Sequence, residues 1–477
     1  MIQRPSTRRV AALSSLAAAL ALSGCMSFIP AYERPAAPVP AAYAPELMPA
    51  GAAGSAAADI DWQRYVIDAR LKRLIETSLA NNRDLRVAIL NIEQARATYQ
   101  IRRADELPTV GAGITAQRQP GSTGGLVNTY GVGLQVTGYE LDFFGRVRSL
   151  SQAALSQYLA TEEARKTVQI ALVASVANAY VGLIADDELL RVTRDTLKTR
   201  DESFKLTKLK FDNGAASELD FRQAEQLLEG ARATLAQTQR QRTLDENALV
   251  LLLGQALPAD LPAGLPLAEQ QVSTELPAGL PSELLTRRPD VRSAEQQLLA
   301  ANANIGAARA AFFPRIALTA NAGTASTELS GLFKSGSFAL TGTATLLQPI
   351  FDAGRNQANL DVAKVNKDIA IAQYEKAIQT AFREVSDSLA GRATLGEQLR
   401  AQTAQTHAAQ ISFNLADLRY RNGAASYLDV LDAQRSLFAA QQALVQVQTL
   451  QAQNLMTLYK VLGGGWTEPG HEAAPAR

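Results

Sequence analysis

The chain has 477 residues and is almost neutral, with 47 lysines and arginines against 46 aspartates and glutamates. This balance provides no basic field for a nucleic-acid partner. Its two histidines, His407 and His471, and its single cysteine are too few for a zinc-like cluster, and neither histidine stands in a catalytic motif. We therefore expect no enzyme, no metal site and no cofactor. One cysteine also excludes an internal disulfide.

The N-terminus has the features of an export signal. Three arginines precede an apolar stretch at 10–22, which is too short to remain as a membrane-spanning helix. The Leu-Ser-Gly-Cys sequence that ends at Cys25 is similar to the bacterial lipobox. This resemblance implies that a signal peptide at 1–24 is removed and that Cys25 carries a covalent lipid; an ordinary signal with a chance cysteine is the alternative.

A tether is predicted between this signal and the folded body. Residues 25–59 are rich in proline and alanine, and such a segment is extended, with little capacity to bury a core. Residue 26 is methionine rather than aspartate, which in bacterial lipoproteins usually goes with sorting to the outer membrane. We expect the folded body to start near Ile60 and a tail to occupy 465–477.

The chain contains a tandem repeat. Asp84 recurs as Asp290, 206 residues later (290 minus 84). The segment FDNGAASELD at 211–220 recurs as YRNGAASYLD at 420–429, 209 residues later (420 minus 211). This period is too long for a solenoid and indicates a duplicated half-domain. We predict a first repeat at 60–255, a linker at 256–280 and a second repeat at 281–464.

Each repeat begins with a helical pattern and continues with a β-hairpin. In the first repeat, apolar residues at spacings of three and four predict one helical run over about 62–106, which Pro108 ends. Period-two alternation of apolar with small or polar residues then predicts hairpins at 109–139 and 315–347. Strands of this length and pattern suit a tilted membrane barrel, although a half-buried soluble sheet fits the alternation equally well.

Long helical hairpins complete both repeats, at 145–253 and 354–462. A helix of about 65 residues extends on the order of 100 Å. Four strands cannot close a barrel, because about eight are needed and an open edge in lipid leaves backbone groups unpaired. A barrel would therefore have to be shared between chains.

The features that indicate a family are the lipobox, the tandem repeat, the two short β-hairpins, the helical hairpins that turn at NGAAS-x-LD, and a closing LGGGW at 462–466. With these features the chain resembles the TolC-like outer membrane factors, specifically their lipoprotein branch in drug efflux. The resemblance implies an α+β membrane protein that forms a homotrimer. Its twelve-stranded outer-membrane β-barrel, with four strands per chain, would continue into a long α-helical periplasmic tunnel. The protein would be a passive conduit that exports drugs or other small molecules, together with a periplasmic adaptor and an inner-membrane transporter of the resistance-nodulation-division (RND) class.

The two helix turns are candidate docking sites. Glycine fits the left-handed position that ends a helix and serine fits the N-cap of the next one, so the turns have a sufficient structural explanation. The resemblance implies that the adaptor docks there as well. The residues concerned are Asn213, Gly214, Ala215, Ala216 and Ser217 in the first turn and Asn422, Gly423, Ala424, Ala425 and Ser426 in the second.

A candidate periplasmic aperture follows the second turn. The resemblance implies that Asp429 and Asp432 narrow the pore and that Tyr420 helps to hold it closed; Asp220 is included as the first-repeat counterpart of Asp429. Capping is the alternative for Asp220 and Asp429, because each stands three residues after a serine, whereas Asp432 lies outside the first helical turn. The best-known family member carries an arginine near this tyrosine, and this chain has Ala425 in its place.

Two other functions remain open from the sequence alone. The same fold could serve as the outer-membrane conduit of type I protein secretion. A lipid-anchored periplasmic helical scaffold without a pore is the other alternative, and it would require neither alternating strands nor paired aspartates at the helix ends.

Overall fold

A computed structural model describes residues 27–47, 60–120, 122, 124–270 and 287–466. The predicted signal peptide, Cys25 and all but the first two residues of the predicted tail lie outside the described residues. The chain divides into two compact units. The first comprises Met1–Ala36, Leu90–Glu163 and Ser293–Lys376, and the second comprises Ala37–Ile89, Ala164–Arg292 and Ala377–Arg477.

Eight α-helices and four β-strands lie within the described residues, in the order α1–α3, β1, β2, α4–α6, β3, β4, α7 and α8. The helices are α1 (Trp62–Tyr65), α2 (Ala69–Asn81), α3 (Arg83–Ala104), α4 (Arg146–Asp212), α5 (Glu218–Leu253), α6 (Pro289–Ala310), α7 (Arg355–Arg421) and α8 (Tyr427–Val461). The strands are β1 (Val110–Pro120), β2 (Leu126–Glu140), β3 (Arg315–Ser326) and β4 (Phe338–Leu347).

The single helical run expected over 62–106 is wrong, because the structure divides it into α1, α2 and α3. Two polar side chains cause the breaks. Asp68 accepts hydrogen bonds from the backbone N–H groups of Arg70 and Leu71 and so starts α2. Asn82 has extended backbone dihedrals, and its side-chain oxygen accepts from Leu85 N–H at 3.0 Å, which starts α3. N-cap bonds of this kind satisfy donors that a helix start leaves free.

The four strands form one antiparallel sheet in the order β1-β2-β3-β4. Each repeat therefore supplies one hairpin, and β2 pairs with β3 to join the two hairpins. Within the described part of the chain, β1 pairs only with β2 and β4 pairs only with β3, so both outer edges of the sheet lack a partner.

The register confirms the predicted alternation. One row across the sheet places Ile114 opposite Val132, Val132 opposite Thr324, and Thr324 opposite Phe338. Directly opposed residues of an antiparallel sheet share a face. Ile114 is 83% exposed and Phe338 is 71% exposed, so this apolar face is not covered by the chain itself. The opposite face carries the polar and small row Gly111, Gln135, Asn321 and Thr341.

Glycines allow the two hairpins to approach closely. Gly133 lies opposite Gly323, and a Cβ atom added to Gly133 would lie 2.6 Å from the Gly323 Cα atom and 2.6 Å from the Ala322 oxygen. No side chain fits at that distance, so the β2–β3 junction requires glycine.

The N-terminal segment is more closely packed than the predicted tether. In the first unit, residues 28–34 are extended along α6: the Phe28 ring stacks on Phe313, and the Pro30 carbonyl accepts from the Asn302 side chain at 2.8 Å. Arg34 forms a bidentate ion pair with Glu295, at 2.7 and 3.0 Å. The described first part of the predicted tether is therefore extended and also makes specific side-chain contacts, because aromatic and charged residues interrupt the Pro/Ala composition.

Helices α4 and α7 each have 67 residues. By length and composition α4 contains a window apolar enough to cross a membrane, but half of that window is buried inside the protein. A core helix of a soluble protein has the same property, so the window is weak evidence for a membrane span.

Candidate functional site: the helix-hairpin ends

The two helix turns have the same backbone geometry. In the first, Gly214 has φ 72°, its N–H donates to Phe211 O at 2.9 Å, and Ala215 N–H donates to Lys210 O at 2.8 Å. In the second, Gly423 has φ 73°, with the equivalent bonds at 3.0 and 2.8 Å. This pair of bonds is the Schellman ending of a helix, and its positive φ favours glycine. The left-handed glycines expected from the sequence are present in both turns.

Serine and aspartate cap the helices that follow. Asp220 N–H donates to Ser217 Oγ at 3.1 Å, and Ser217 N–H donates to Asp220 Oδ2 at 3.2 Å. Ser426 and Asp429 repeat this exchange at 3.3 and 3.1 Å. Both pairs are therefore capping boxes. Capping accounts for the local position of Asp220 and of Asp429.

Asp432 has a different environment. It lies on α8 beyond the first turn, is exposed, and its Oδ1 lies 3.6 Å from Arg435 Nη1. An exposed pair at this distance contributes little to stability. Asp429 is also exposed and precedes Asp432 by three residues, so both carboxylates occupy one face of α8.

Tyr420 connects the two turns. Its ring centroid lies 5.3 Å from that of Tyr427 and 4.0 Å from Lys210 Nζ, which belongs to the end of α4. A cation over an aromatic face is attracted by the ring quadrupole. Ala425 lies within the second turn and has no long side chain.

Sequence reasoning missed Tyr427. Its side chain is almost completely buried, in a cluster with Ala224 of α5 and with Val430 and Leu431 of α8. Burial raises the pKa of the Tyr427 hydroxyl. The signal that could have identified it is the pair of tyrosines on either side of one turn, at 420 and 427. The second turn is therefore fixed to the neighbouring helical hairpin by an aromatic core.

The remaining polar groups near the turns form local pairs. Arg421 lies 2.7 Å from Asp417 on α7, and Lys208 lies 2.9 Å from Asp212 on α4. Within the ranges that the structure describes, no group of three or more histidines, cysteines, aspartates or glutamates is placed to hold a metal ion. The arrangement offers exposed carboxylates on one helix face beside rigid turns, which suits charge selection or docking rather than catalysis.

The fold combines a four-stranded antiparallel sheet that has an exposed apolar face with two long helical hairpins that carry exposed carboxylates beside their turns. The chain matches the family described as outer membrane efflux protein twice, at residues 74–255 and 280–464. These two matches cover most of the chain. The chain therefore belongs to the outer membrane efflux protein family.

Curated relatives are similar over nearly the whole length. The chain is 50% identical over 470 residues to the toluene efflux pump outer membrane protein TtgC of Pseudomonas putida, covering 97% of both chains. It is 46% identical over 467 residues to the outer membrane protein OprJ of Pseudomonas aeruginosa, covering 96% of both.

Solved structures share the fold. A membrane protein from Pseudomonas aeruginosa aligns with a TM-score of 0.85 at 45% identity, covering 92% of this chain and 98% of that one. The open state of the Neisseria gonorrhoeae MtrE outer membrane channel aligns with a TM-score of 0.84 at 42% identity, with the same coverage.

Proposed function

We propose that the chain is the outer membrane channel of a tripartite efflux pump of the RND type, a passive conduit for drugs or other small molecules. Membership of the outer membrane efflux protein family carries the proposal. The relatives named as efflux-pump outer membrane proteins, and the neighbour named as an outer membrane channel, support it over nearly the whole chain. The expected location is the bacterial outer membrane, with the helical hairpins extending into the periplasm.

The channel is a homotrimer. The sheet has an exposed apolar face and two outer strands without partners among the described residues. In lipid such edges must be paired, and three chains with four strands each supply a closed barrel of twelve. Light scattering of the purified protein should give the mass of three mature chains with their detergent; a monomer that retains channel activity would contradict the assembly.

The N-terminus is lipid-anchored through Cys25. The lipobox-like sequence supports this modification, and residues 28–34 are held along α6, so the anchor starts only a few residues from a fixed part of the fold. Mass spectrometry of the mature protein should show a diacylglycerol and an acyl chain on Cys25. A Cys25→Ala variant should lose that mass, and an unmodified Cys25 would contradict the anchor.

The aperture lies at the helix-hairpin ends. Asp432 is the main support for this aperture, because its carboxylate is exposed and does not cap a helix. Asp429 contributes a second carboxylate on the same helix face while it caps α8, and Tyr420 holds the second turn against Lys210 of α4. Asp220 forms the same capping box in the first copy, but the residue three positions later is the uncharged Gln223 instead of a second aspartate. We therefore assign Asp220 a smaller contribution to the aperture than Asp429 and Asp432. In a trimer, Asp429 and Asp432 form two rings of three carboxylates, which would favour cations.

The two turns dock the periplasmic adaptor, which joins the channel to the inner-membrane transporter. The segments 213–217 and 422–426 support this role, because their side chains are small and largely exposed and their backbones are fixed by capped helix ends. A rigid, small-residue turn lets another helical surface approach closely.

Single-channel conductance in a planar bilayer tests the proposal. We expect small, cation-preferring openings of the wild-type trimer. Asp432→Asn should enlarge them and reduce cation preference, and Asp429→Asn should do so less. Asp220→Asn is the matched control, because it weakens the same kind of capping box as Asp429→Asn and should leave selectivity close to wild type.

The outcomes are distinct. A silent bilayer from folded trimers would contradict the channel and favour the scaffold. If Asp432→Asn opens with unchanged ion selectivity, the channel proposal stands and the assignment of Asp432 to the aperture is contradicted.

A further inference from the structure

A polar cavity lies between α4, α7 and α8 in the second unit, away from the turns. Its volume is about 260 Å³, and the side chains that matter to its chemistry are Arg200, Gln434, Phe413, Leu437 and Phe438. The lining combines these aromatic and apolar side chains with a guanidinium and an amide, and it also includes the polar residues Thr196, Thr199, Gln410 and Gln441. A cavity of this size has space for about nine water-sized groups at about 30 Å³ each.

Arg200 is a buried cation without an anion. The residue is 7% exposed; Nη1 donates to the Leu227 carbonyl at 3.1 Å, while Nε has no hydrogen-bond partner. Among the described residues, no carboxylate lies within ion-pair distance of Arg200. Buried charges are ordinarily paired, because the uncompensated charge is costly in a low dielectric.

The surroundings increase this imbalance. Burial lowers the pKa of the Arg200 guanidinium, and the positive charge of Arg435 lowers it further. Two other charged residues line the cavity, Arg191 and Asp195, but they are paired with each other at 3.1 Å. The Phe438 ring lies 5.2 Å from the guanidinium carbon and offers only a weak partial compensation.

Gln434 supplies a second free polar atom. It is 6% exposed; its Nε2 donates to Ser203 Oγ at 3.2 Å and its Oε1 has no hydrogen-bond partner. Two residues that line this cavity and are more than nine-tenths buried therefore each carry an unpartnered polar atom. Such atoms in a native fold call for a ligand or for ordered water.

We propose that this cavity binds a small carboxylate with an apolar body, such as an aryl carboxylate. The carboxylate would accept from Arg200 Nε–H, and the apolar body would pack against Phe413, Leu437 and Phe438. An anion complements the unpaired cation, and an apolar body complements Phe413, Leu437 and Phe438 in the lining. Benzoate, with nine non-hydrogen atoms, matches the available volume.

The site has a consequence for the channel, and this part rests on the proposed function. The ligand contacts α4 through Arg200, α7 through Phe413 and α8 through Phe438, so it links the two helical hairpins. Arg200 precedes the first turn by 13 residues (213 minus 200), which is about 20 Å of helix. A ligand that links the two hairpins opposes movement of one hairpin relative to the other, and we expect it to reduce the frequency of channel opening.

Isothermal titration calorimetry of benzoate into the purified full-length trimer tests the site. We expect saturable binding with one site per chain and a Kd of about 1 mM or tighter. Benzamide, which has the same shape without the charge, should bind at least tenfold more weakly. Arg200→Met should lower benzoate affinity at least tenfold, whereas Arg194→Met, an exposed arginine on the same helix, should leave it unchanged.

Gln434→Glu provides an independent variant if Arg200→Met fails to fold. The new carboxylate would pair with Arg200, so benzoate binding should disappear and the thermal midpoint should rise. Absence of benzoate binding to the wild-type trimer would overturn the site, as would wild-type affinity in Arg200→Met or in Gln434→Glu. If a carboxylate of a neighbouring chain already pairs with Arg200 in the trimer, benzoate should fail to bind to the wild-type protein.

Channel recordings separate this inference from the proposed function. Saturating benzoate should reduce opening of the wild type and leave Arg200→Met unaffected. Benzoate binding without any change in opening would overturn the regulatory part, whereas a trimer that binds benzoate but never conducts would contradict the proposed channel and not the binding site.

Discussion

The two helix turns have the same five-residue sequence and the same backbone, but their flanks have diverged. At the 209-residue offset, Glu218 corresponds to Tyr427 and Gln223 corresponds to Asp432. Tyr427 is buried in an aromatic core, whereas Glu218 is exposed. Asp432 is an exposed carboxylate, whereas Gln223 carries no charge. The comparison indicates that duplication preserved the turn as a structural unit. At these two positions the second copy alone has a buried tyrosine and an exposed carboxylate.

The largest expected difference between the copies is in stability. Tyr427→Ala removes a buried ring and should lower the free energy of unfolding by about 3–5 kcal/mol, as other buried aromatic truncations do. Glu218→Ala, at the matching position, removes only an exposed carboxylate 3.6 Å from Arg222 and should change it by less than about 0.5 kcal/mol. Urea unfolding of both variants in the same detergent measures this. Equal losses would show that the two turns are packed alike.

A second difference concerns pH and is confined to the first copy. Burial and a hydrogen bond with Asp245 raise the pKa of the Asp186 carboxyl to about 7, with further repulsion from Asp187 and an opposing attraction from Arg242. The matching positions in the second copy are Leu395 and Asn454, which do not titrate. At these matched positions, only the first helical hairpin therefore contains a carboxyl group with a raised pKa, that of Asp186.

The sign of the pH effect follows from that raised pKa. Between about pH 4 and pH 7 the folded state keeps the proton of Asp186 and the unfolded state has lost it. The contribution of Asp186 to the free energy of unfolding is therefore complete below about pH 4 and is lost as the pH rises through about 7. One pKa unit corresponds to about 1.36 kcal/mol, so the loss is on the order of 2–4 kcal/mol at most. Asp186→Asn should remove the dependence and be more stable than wild type at pH 8. Thermal midpoints at pH 5 and pH 8 decide this, and a wild-type pH profile in Asp186→Asn would contradict it.

The capping boxes should contribute equally in both copies. Ser217→Ala and Ser426→Ala each remove the side-chain acceptor of an N-cap and should each cost about 1 kcal/mol. The two turns belong to separate helices, so the double variant should show the sum of the single effects. Unfolding free energies of the two single variants and the double variant test this, and a much larger cost at Ser426 would show that its cap also supports the aromatic core.

Local features of this fold were predictable because they depend on neighbours in the sequence. The Schellman glycines, the Ser-x-x-Asp caps and the strand alternation each involve residues within a few positions of one another. The pairing of β2 with β3 was not predictable in this way, since it joins residues far apart in the sequence, such as Val132 and Thr324, which are 192 positions apart (324 minus 132).

The candidate site shows the same division. Asp220 and Asp429 stand in a recognisable capping pattern, so their local role could be predicted from spacing. The burial of Tyr427 and the isolation of the Arg200 guanidinium depend on contacts between different helices. The pair of tyrosines at 420 and 427 is a local signal for the first, whereas Arg200 has no such signal in the sequence around it. The N-terminal segment is a similar case, because Arg34 finds Glu295 more than 250 residues away.

The smallest expected effect on stability is at Asp432, and this small effect is informative. Asp432 is exposed and its only described pairing is the 3.6 Å contact with Arg435, so Asp432→Asn should change the free energy of unfolding by less than about 0.5 kcal/mol. Urea unfolding beside conductance then separates two roles for one residue. An unchanged unfolding curve with altered ion selectivity would assign Asp432 to the aperture alone. A loss comparable to that of Ser426→Ala would instead make the carboxylate part of the helix structure, because a residue retained for packing or capping cannot be removed without a cost in stability.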